Sequence, residues 1–469
     1  MKKLFLPLML SSSTAIAAPF TTLDARSMAM GDTGVASSKP GSAPQFNPAL
    51  LSNYSNNERV SIILPNIGVA AFADPDAVDS LFNIQDEDYI GNLSDALDSL
   101  NTTITNVGNG TPNAGQISRF RSDLNDFTRN ASGLTSDLNK LSEKPYNVNA
   151  NAIFSVAIPN SFLGFAVYAG VDSLVLETRP IISACDSQIL NNYIDRVDGL
   201  ANLSDPTNIQ QIANPIIEYA CGGQPTETFN IIDGNRFNDP TSELQSSVEI
   251  AGVGIAELGV SLAHEFSFGD QDVSIGITPK YQQITSTYAN PSVQDIDDGT
   301  FKLGDALDEN RKENSAFNLD IGIAMSFLPD ESLTWGLIAK NLVPYTFETA
   351  TYTPARGQPT SAEYNVNPQV RTGISWAAPL GITLTSDIDL TRNEPYFSGP
   401  DTQYWGAGVE FDIFNVLRLR GGYRTNLADS RDQVLTAGMG LNILVVHFDI
   451  GAQYSDNNAG AAFQMGIEF

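Results

Sequence analysis

The chain ends Phe463-Gln464-Met465-Gly466-Ile467-Glu468-Phe469. Phe463, Met465, Ile467 and Phe469 share one face of an extended strand and Gln464, Gly466 and Glu468 the other, because strand side chains alternate with a period of two. The rhythm persists towards the N-terminus. Phe448, Ile450, Ala452 and Tyr454 oppose His447, Asp449, Gly451 and Gln453, and Leu435, Ala437, Met439 and Leu441 oppose Thr436, Gly438, Gly440 and Asn442. Leu417, Leu419 and Tyr423 oppose Arg418, Arg420 and Arg424; Trp405, Ala407, Val409 and Phe411 oppose Gly406, Gly408, Glu410 and Asp412. Ile382, Leu384, Ile388 and Leu390 oppose Thr383, Thr385, Asp387 and Asp389. Similar segments lie near 365–377, 332–348, 315–327, 272–288, 249–266, 163–178, 147–158 and 59–73. At about 9–16 residues, most are long enough for a tilted crossing of a hydrocarbon layer.

The connections follow a second rule. Pro159-Asn160-Ser161, Phe268 to Gln271, Pro329 to Glu331, Pro379, Asn415 and the region of Asn442 read as tight turns. Longer links near 74–146, 179–248, 289–314, 349–364, 393–402, 428–433 and 456–460 alternate with them. Short periplasmic turns and long external loops are what an outer-membrane barrel requires. The expected fold is all-β: a transmembrane antiparallel up-and-down barrel of about 14 strands. Even parity puts both termini in the periplasm, and the terminal Phe469 resembles the sorting signal of bacterial outer-membrane barrels, which implies lipid, lipopolysaccharide and the barrel-assembly machinery as partners.

Composition is consistent with this. Fifty-four acidic and 25 basic residues leave a net charge of −29, which repels a phosphate backbone and argues against nucleic acid as a partner. Mean hydropathy is −0.11, and no eighteen-residue apolar run follows the N-terminus, so a bundle of membrane-spanning helices is excluded. Strand alternation hides its hydrophobicity from such averages.

Lys2-Lys3, the apolar stretch Leu4 to Leu10 and Ala15-Ile16-Ala17 read as a signal peptide over 1–17. Residues 18–58 do not alternate and form an expected N-terminal hatch, with the barrel over 59–469. An irregular segment there sits below the barrel or inside it. Export makes a disulfide possible, and Cys185 and Cys221 within the 179–248 loop are the two candidates. On the inner wall, Arg418, Arg420 and Arg424 are expected to meet Glu410 and Asp412 in a cross-strand charge ladder, with Asp387 and Asp389 adding carboxylates.

The hatch carries Ala25-Arg26-Ser27-Met28-Ala29-Met30-Gly31-Asp32-Thr33-Gly34-Val35-Ala36 and Phe46-Asn47-Pro48-Ala49-Leu50-Leu51. These stretches resemble the plug of FadL-like outer-membrane barrels, and more closely the barrel family labelled "conjugal transfer protein TraF". Gly336 to Tyr345 and Asp387 to Pro395 resemble further parts of that pattern. The resemblance implies a plug built on Arg26, Met28, Met30, Gly31, Gly34, Asn47 and Pro48, and passive passage of small hydrophobic compounds. A thioredoxin-like protein shares the TraF label, but this chain has no C-x-x-C, so no redox role carries over.

The first long loop has a different period. Ile90, Leu93, Leu97, Leu100, Ile104 and Val107 step by three and four, as do Ile117, Phe120, Leu124, Phe127, Ala131, Leu134, Leu138 and Leu141. Two such seams around the Gly108 to Gly115 turn predict an antiparallel helical hairpin within 74–146. By strand parity it lies outside the cell, and it is the feature through which an alternative role in surface contact or conjugal assembly would act. Catalysis is not expected. His264 and His447 are the two histidines, both near predicted periplasmic turns, and no G-x-S-x-G, zinc set or phosphate loop is present. Asp295-Ile296-Asp297-Asp298-Gly299 lacks the spacing of an EF-hand, and no metal or cofactor is expected.

Overall fold

The computed structural model describes residues 20, 23–52, 60–107, 111–203, 207–208, 215–219, 226–234, 236–238, 240, 244–269, 271–292, 295, 301–328, 332–353, 359–395 and 401–469. The expected signal peptide, Cys221 and the segment 296–299 lie outside them. Fourteen strands close into one antiparallel barrel. They are β1 (Ser61–Ala73), β2 (Tyr146–Ile158), β3 (Gly164–Ile181), β8 (Ser247–Phe268), β9 (Gln271–Ala289), β10 (Arg311–Phe327), β11 (Leu333–Lys340), β14 (Gln369–Ala378), β15 (Ile382–Asp389), β16 (Tyr404–Ile413), β17 (Leu417–Asn426), β18 (Gln433–Ile443), β19 (Val446–Tyr454) and β20 (Asn458–Glu468). The numbers between belong to three two-stranded hairpins in the long links: β4 (Ile216–Tyr219) with β5 (Glu227–Asn230), β6 (Ile232–Asp233) with β7 (Arg236–Phe237), and β12 (Tyr345–Glu348) with β13 (Glu363–Val366).

Closure is made by β1 against β20, with Ser61 opposite Glu468 and Phe72 opposite Asn458. Val60 and Phe469 exchange backbone hydrogen bonds of 3.0 and 3.1 Å just beyond the ladder. Closure leaves the sheet no unpaired edge, which hydrocarbon would not tolerate. The faces fall as alternation demands: Leu419, Leu435, Met439, Ile450 and Phe463 point out and are exposed, while Arg420, Thr436, Asp449 and Gln464 point in and are buried. Among the described residues no helix is long and apolar enough to cross a membrane; strands do the crossing.

One expectation is corrected and two gain detail. The 332–348 segment is two elements: β11 ends at Lys340, Asn341 takes a φ of 55°, and Tyr345–Glu348 pairs with Glu363–Val366 instead of the wall. The apolar alternation continues through Asn341, so the pattern hides the break. The helical hairpin has an extra helix. α3 (Pro75–Asp86) precedes α4 (Tyr89–Val107) and α5 (Ala114–Leu141). The 179–248 loop, expected only as a long link, contains α6 (Ala184–Ala201) and two of the hairpins.

These helices make a cap with its own core. Leu100 and Ile104 of α4 and Phe120, Leu124 and Phe127 of α5 pack with Ile189, Tyr193 and Val197 of α6. Asn113 and Gln116 cap α5 reciprocally, their side chains each bonding the other's backbone N–H at 2.9 and 3.0 Å. Cys185, also in this core, is buried and is not a free thiol.

Leu419→Arg should lower stability by about 2–4 kcal/mol, since the side chain faces mid-wall on the lipid side; refolding titrations in vesicles would measure it.

Candidate functional site

Residues 23–52 lie inside the barrel, and most of their side chains are buried. Short helical turns fold them compactly: α1 (Ala25–Met28), α2 (Ala43–Phe46) and a 3-10 turn at Pro48–Leu51. Asp24 caps α1 by accepting from Ser27 N at 2.9 Å and takes a second bond from Ser42 Oγ at 2.8 Å. Burial pushes its carboxyl up, and those two donors oppose the shift. Gly31, at φ 72°, lies so near the wall that a Cβ would meet Tyr423 O at 2.5 Å. Gly34 leaves room for the Phe46 ring. Met28 and Met30 are fully buried. Asn47 donates to Val35 O and to Ile323 O of β10, both at 3.0 Å, and accepts from Ala49 N. Pro48 begins the following turn, where its missing N–H costs nothing.

The expected wall ladder is partly a latch between wall and plug. Glu410 and Arg420 are register partners, as are Asp412 and Arg418, and both pairs form ion pairs, at 2.7 and 3.1 Å. Glu410 also accepts from Arg26 at 3.0 and 3.2 Å, while Arg420 reaches Asp449 at 2.5 Å. The resulting chain runs Arg26, Glu410, Arg420, Asp449. Arg424 pairs with Asp32 of the plug instead of a wall carboxylate. Asp387 accepts the backbone N–H groups of Gly34 and Val35 at 2.7 and 2.9 Å. Asp389 binds Arg371 at 2.5 Å. Arg371 in turn donates to Phe20 O at 2.9 Å and stacks 4.1 Å from the Phe20 ring. The sequence reading did not single out Arg371, Asp32 or Asp24. Alternation in the 365–377 segment gives Arg371 a face and register sets it opposite Asp389, but its contacts with Asp32 O and Phe20 O depend on how the plug folds.

β9 serves as a ruler through the lumen, since Gly276, Lys280 and Ile284 share its inner face. A Cβ at Gly276 would collide with Pro48 and Ala49, so this level belongs to the plug. One step further from the short turns, Lys280 is completely buried between Glu257 at 3.1 Å and Asp320 at 3.0 Å. Tyr168 Oη and Gln282 Nε2 donate to Glu257 at 2.7 and 2.6 Å. Beyond it, Ile284 joins Val175, Val253, Ile255 and Ala316 in an apolar tier covered by Tyr364, Val366 and Phe347 of the β12–β13 hairpin. The lumen is thus layered: plug, sealed charge cluster, apolar tier beneath a hairpin.

A closed barrel with a plug held by polar contacts defines the class of protein. The family model described as "F plasmid transfer operon, TraF, protein" matches residues 44–389, and the chain belongs to that family. No curated protein sequence matches it. It is similar to solved structures of the Ralstonia pickettii toluene transporter TbuX, at 11% identity over 97% of this chain and 99% of that one with a TM-score of 0.43. It is also similar to a Pseudomonas aeruginosa FadL homologue, at 9% identity over 97% and 99% with a TM-score of 0.45. Likenesses this remote transfer no substrate to this chain.

Glu410→Ala removes the carboxylate between two buried guanidinium groups and should cost about 3–5 kcal/mol. Limited proteolysis at Arg26 should report a loosened plug, and a double-mutant cycle with Arg26→Met would isolate the latch from the wall pair.

Proposed function

We propose that the chain is an outer-membrane plugged channel that passes small hydrophobic compounds passively and performs no catalysis. The observation that carries this reading is the apolar tier of Val175, Val253, Ile255, Ile284 and Ala316, set beyond a buried charge cluster and covered by side chains of a short hairpin. Apolar surface on the inner wall of a barrel serves either packing or an apolar ligand, and a two-stranded hairpin on its own is marginally stable. The plug around residues 24–35 meets the wall through hydrogen bonds and ion pairs, an arrangement that can be undone and remade. In this reading both termini face the periplasm, the signal peptide is cleaved near Ala18, Cys185 and Cys221 staple the cap, and the barrel-assembly machinery recognises Phe469. The outer wall contacts lipid, and the cap faces lipopolysaccharide.

A second reading has support in the cap. Its core of α4, α5 and α6 is separate from the lumen, as suits a projecting module that binds a partner, and the family's description names a transfer operon. Removing 75–144 alone would strip α6 of half its core, so a fair test replaces 75–144 and 183–245 together with short links.

In proteoliposomes, the intact chain should speed uptake of a small apolar solute over protein-free vesicles, and Ile255→Asp with Ile284→Asp should abolish the gain. No gain in vesicles, together with unchanged uptake in gene-deleted cells, sinks the channel reading. Loss of partner capture with unchanged uptake in the cap-less chain would establish the second.

A further inference from the structure

Each short turn of the barrel carries an exposed large apolar residue at its tip. The tips are Phe162, Phe268, Leu328, Leu380, Phe414 and Leu444, with Phe469 at the chain end. Leu380, Phe414 and Leu444 are 93%, 92% and 99% exposed. Leu328, Leu380, Phe414 and Leu444 also hold φ values of 73°, 70°, 58° and 58°. Glycine, asparagine or aspartate is usual there, because a side chain's Cβ crowds the backbone. A bulky apolar residue in that conformation, surrounded by water, has two costs and no compensation within the protein.

We propose that these tips are seated in the phospholipid leaflet, so that the short-turn end is an interfacial anchor and does not project into water. Continuity with the outer wall identifies the occupant. Above Leu444 the exposed column continues through Ile443, Leu441, Met439 and Leu435 with no polar cuff between belt and turn. Above Phe414 it continues through Ile413 and Phe411. The length agrees. Leu435 to Ile443 spans about 27 Å along the strand at ~3.4 Å per residue, and a tilt of about 40° leaves roughly 20 Å of height, so an apolar band of about 25 Å reaches the tips. Of the six short turns, 159–163, 379–381, 414–416 and 444–445 contain no charged residue, while 268–271 carries Asp270 and 328–332 carries Asp330 and Glu331. One consequence concerns the cavity beneath the plug. It measures 760 Å³ and is lined by Leu380, Phe414 and Leu444 together with Lys39, Arg418 and Glu468, and on this placement it opens onto the headgroup layer.

The inference rests on the barrel being embedded in membrane, which heat-modifiable migration of vesicle-bound protein checks separately. Leu444→Trp and Phe414→Trp would each be placed in a full-length chain whose Trp335, Trp376 and Trp405 are replaced by Phe. These chains would be reconstituted with phosphatidylcholine brominated at graded acyl depths. Tip emission should be strongly quenched by bromines nearest the headgroup and scarcely by aqueous iodide. Iodide quenching without a bromine effect would overturn the proposal, and so would shielding from both, which would mean a second copy covers the tips. Leu380→Asp, Phe414→Asp and Leu444→Asp combined should cut the folded fraction in vesicles severalfold while leaving refolding in detergent unchanged. Equal yields in the two media would also overturn it.

Discussion

A backbone amide in hydrocarbon must find its partner within the protein, and the rest of the structure follows from that requirement. It forbids an open sheet, so the first strand must meet the last, and Val60 and Phe469 sit just past that join. It fixes which side chains face lipid, because the pleat leaves no choice once register is set. A cylinder of fourteen strands then encloses more volume than its own inward side chains fill, and the chain supplies its N-terminal segment as filling.

That filling is held by polar and apolar contacts together. Around residues 24–35, wall and plug meet through Arg26–Glu410, Asp32–Arg424 and the amides bound by Asp387. Buried ions are costly unless their partners are in place, so these contacts fix one seat and one orientation. Around Asn47 to Leu51 the contact changes character: alanines and leucines pack against Ala157, Ala166, Ala263 and Ala324 of the wall. The ion pairs are thus confined to the first half of the plug, while the second is seated by close apolar packing.

Most of the barrel was legible in the sequence, because a period of two and the alternation of short and long links are direct consequences of crossing a membrane. Glu410 with Arg420 and Asp412 with Arg418 could be paired from register alone. Asp389 with Arg371 belongs to the same class, being directly opposite across β14 and β15, but the destinations of Arg424 and Asp387 could not be read this way. Both have the right face, but their partners are Asp32 and the Gly34 and Val35 amides, which belong to a segment with no periodicity. Local pattern also failed at Asn341, where apolar residues continue while the chain leaves the sheet. Helix α6 was missed because its apolar residues, Ile189, Tyr193, Val197 and Leu200, are spaced four, four and three apart inside a link read only for its length.

The carboxylate of Glu410 serves two arginines, one on the plug and one on the wall. If the plug were drawn out, Arg26 would leave with it and be hydrated, while Arg420 would remain between Glu410 and Asp449. The emptied seat would then hold two anions around one cation, an imbalance that attracts the departing arginine. Such a stopper carries its own restoring force, and its return requires no hinge and no energy source.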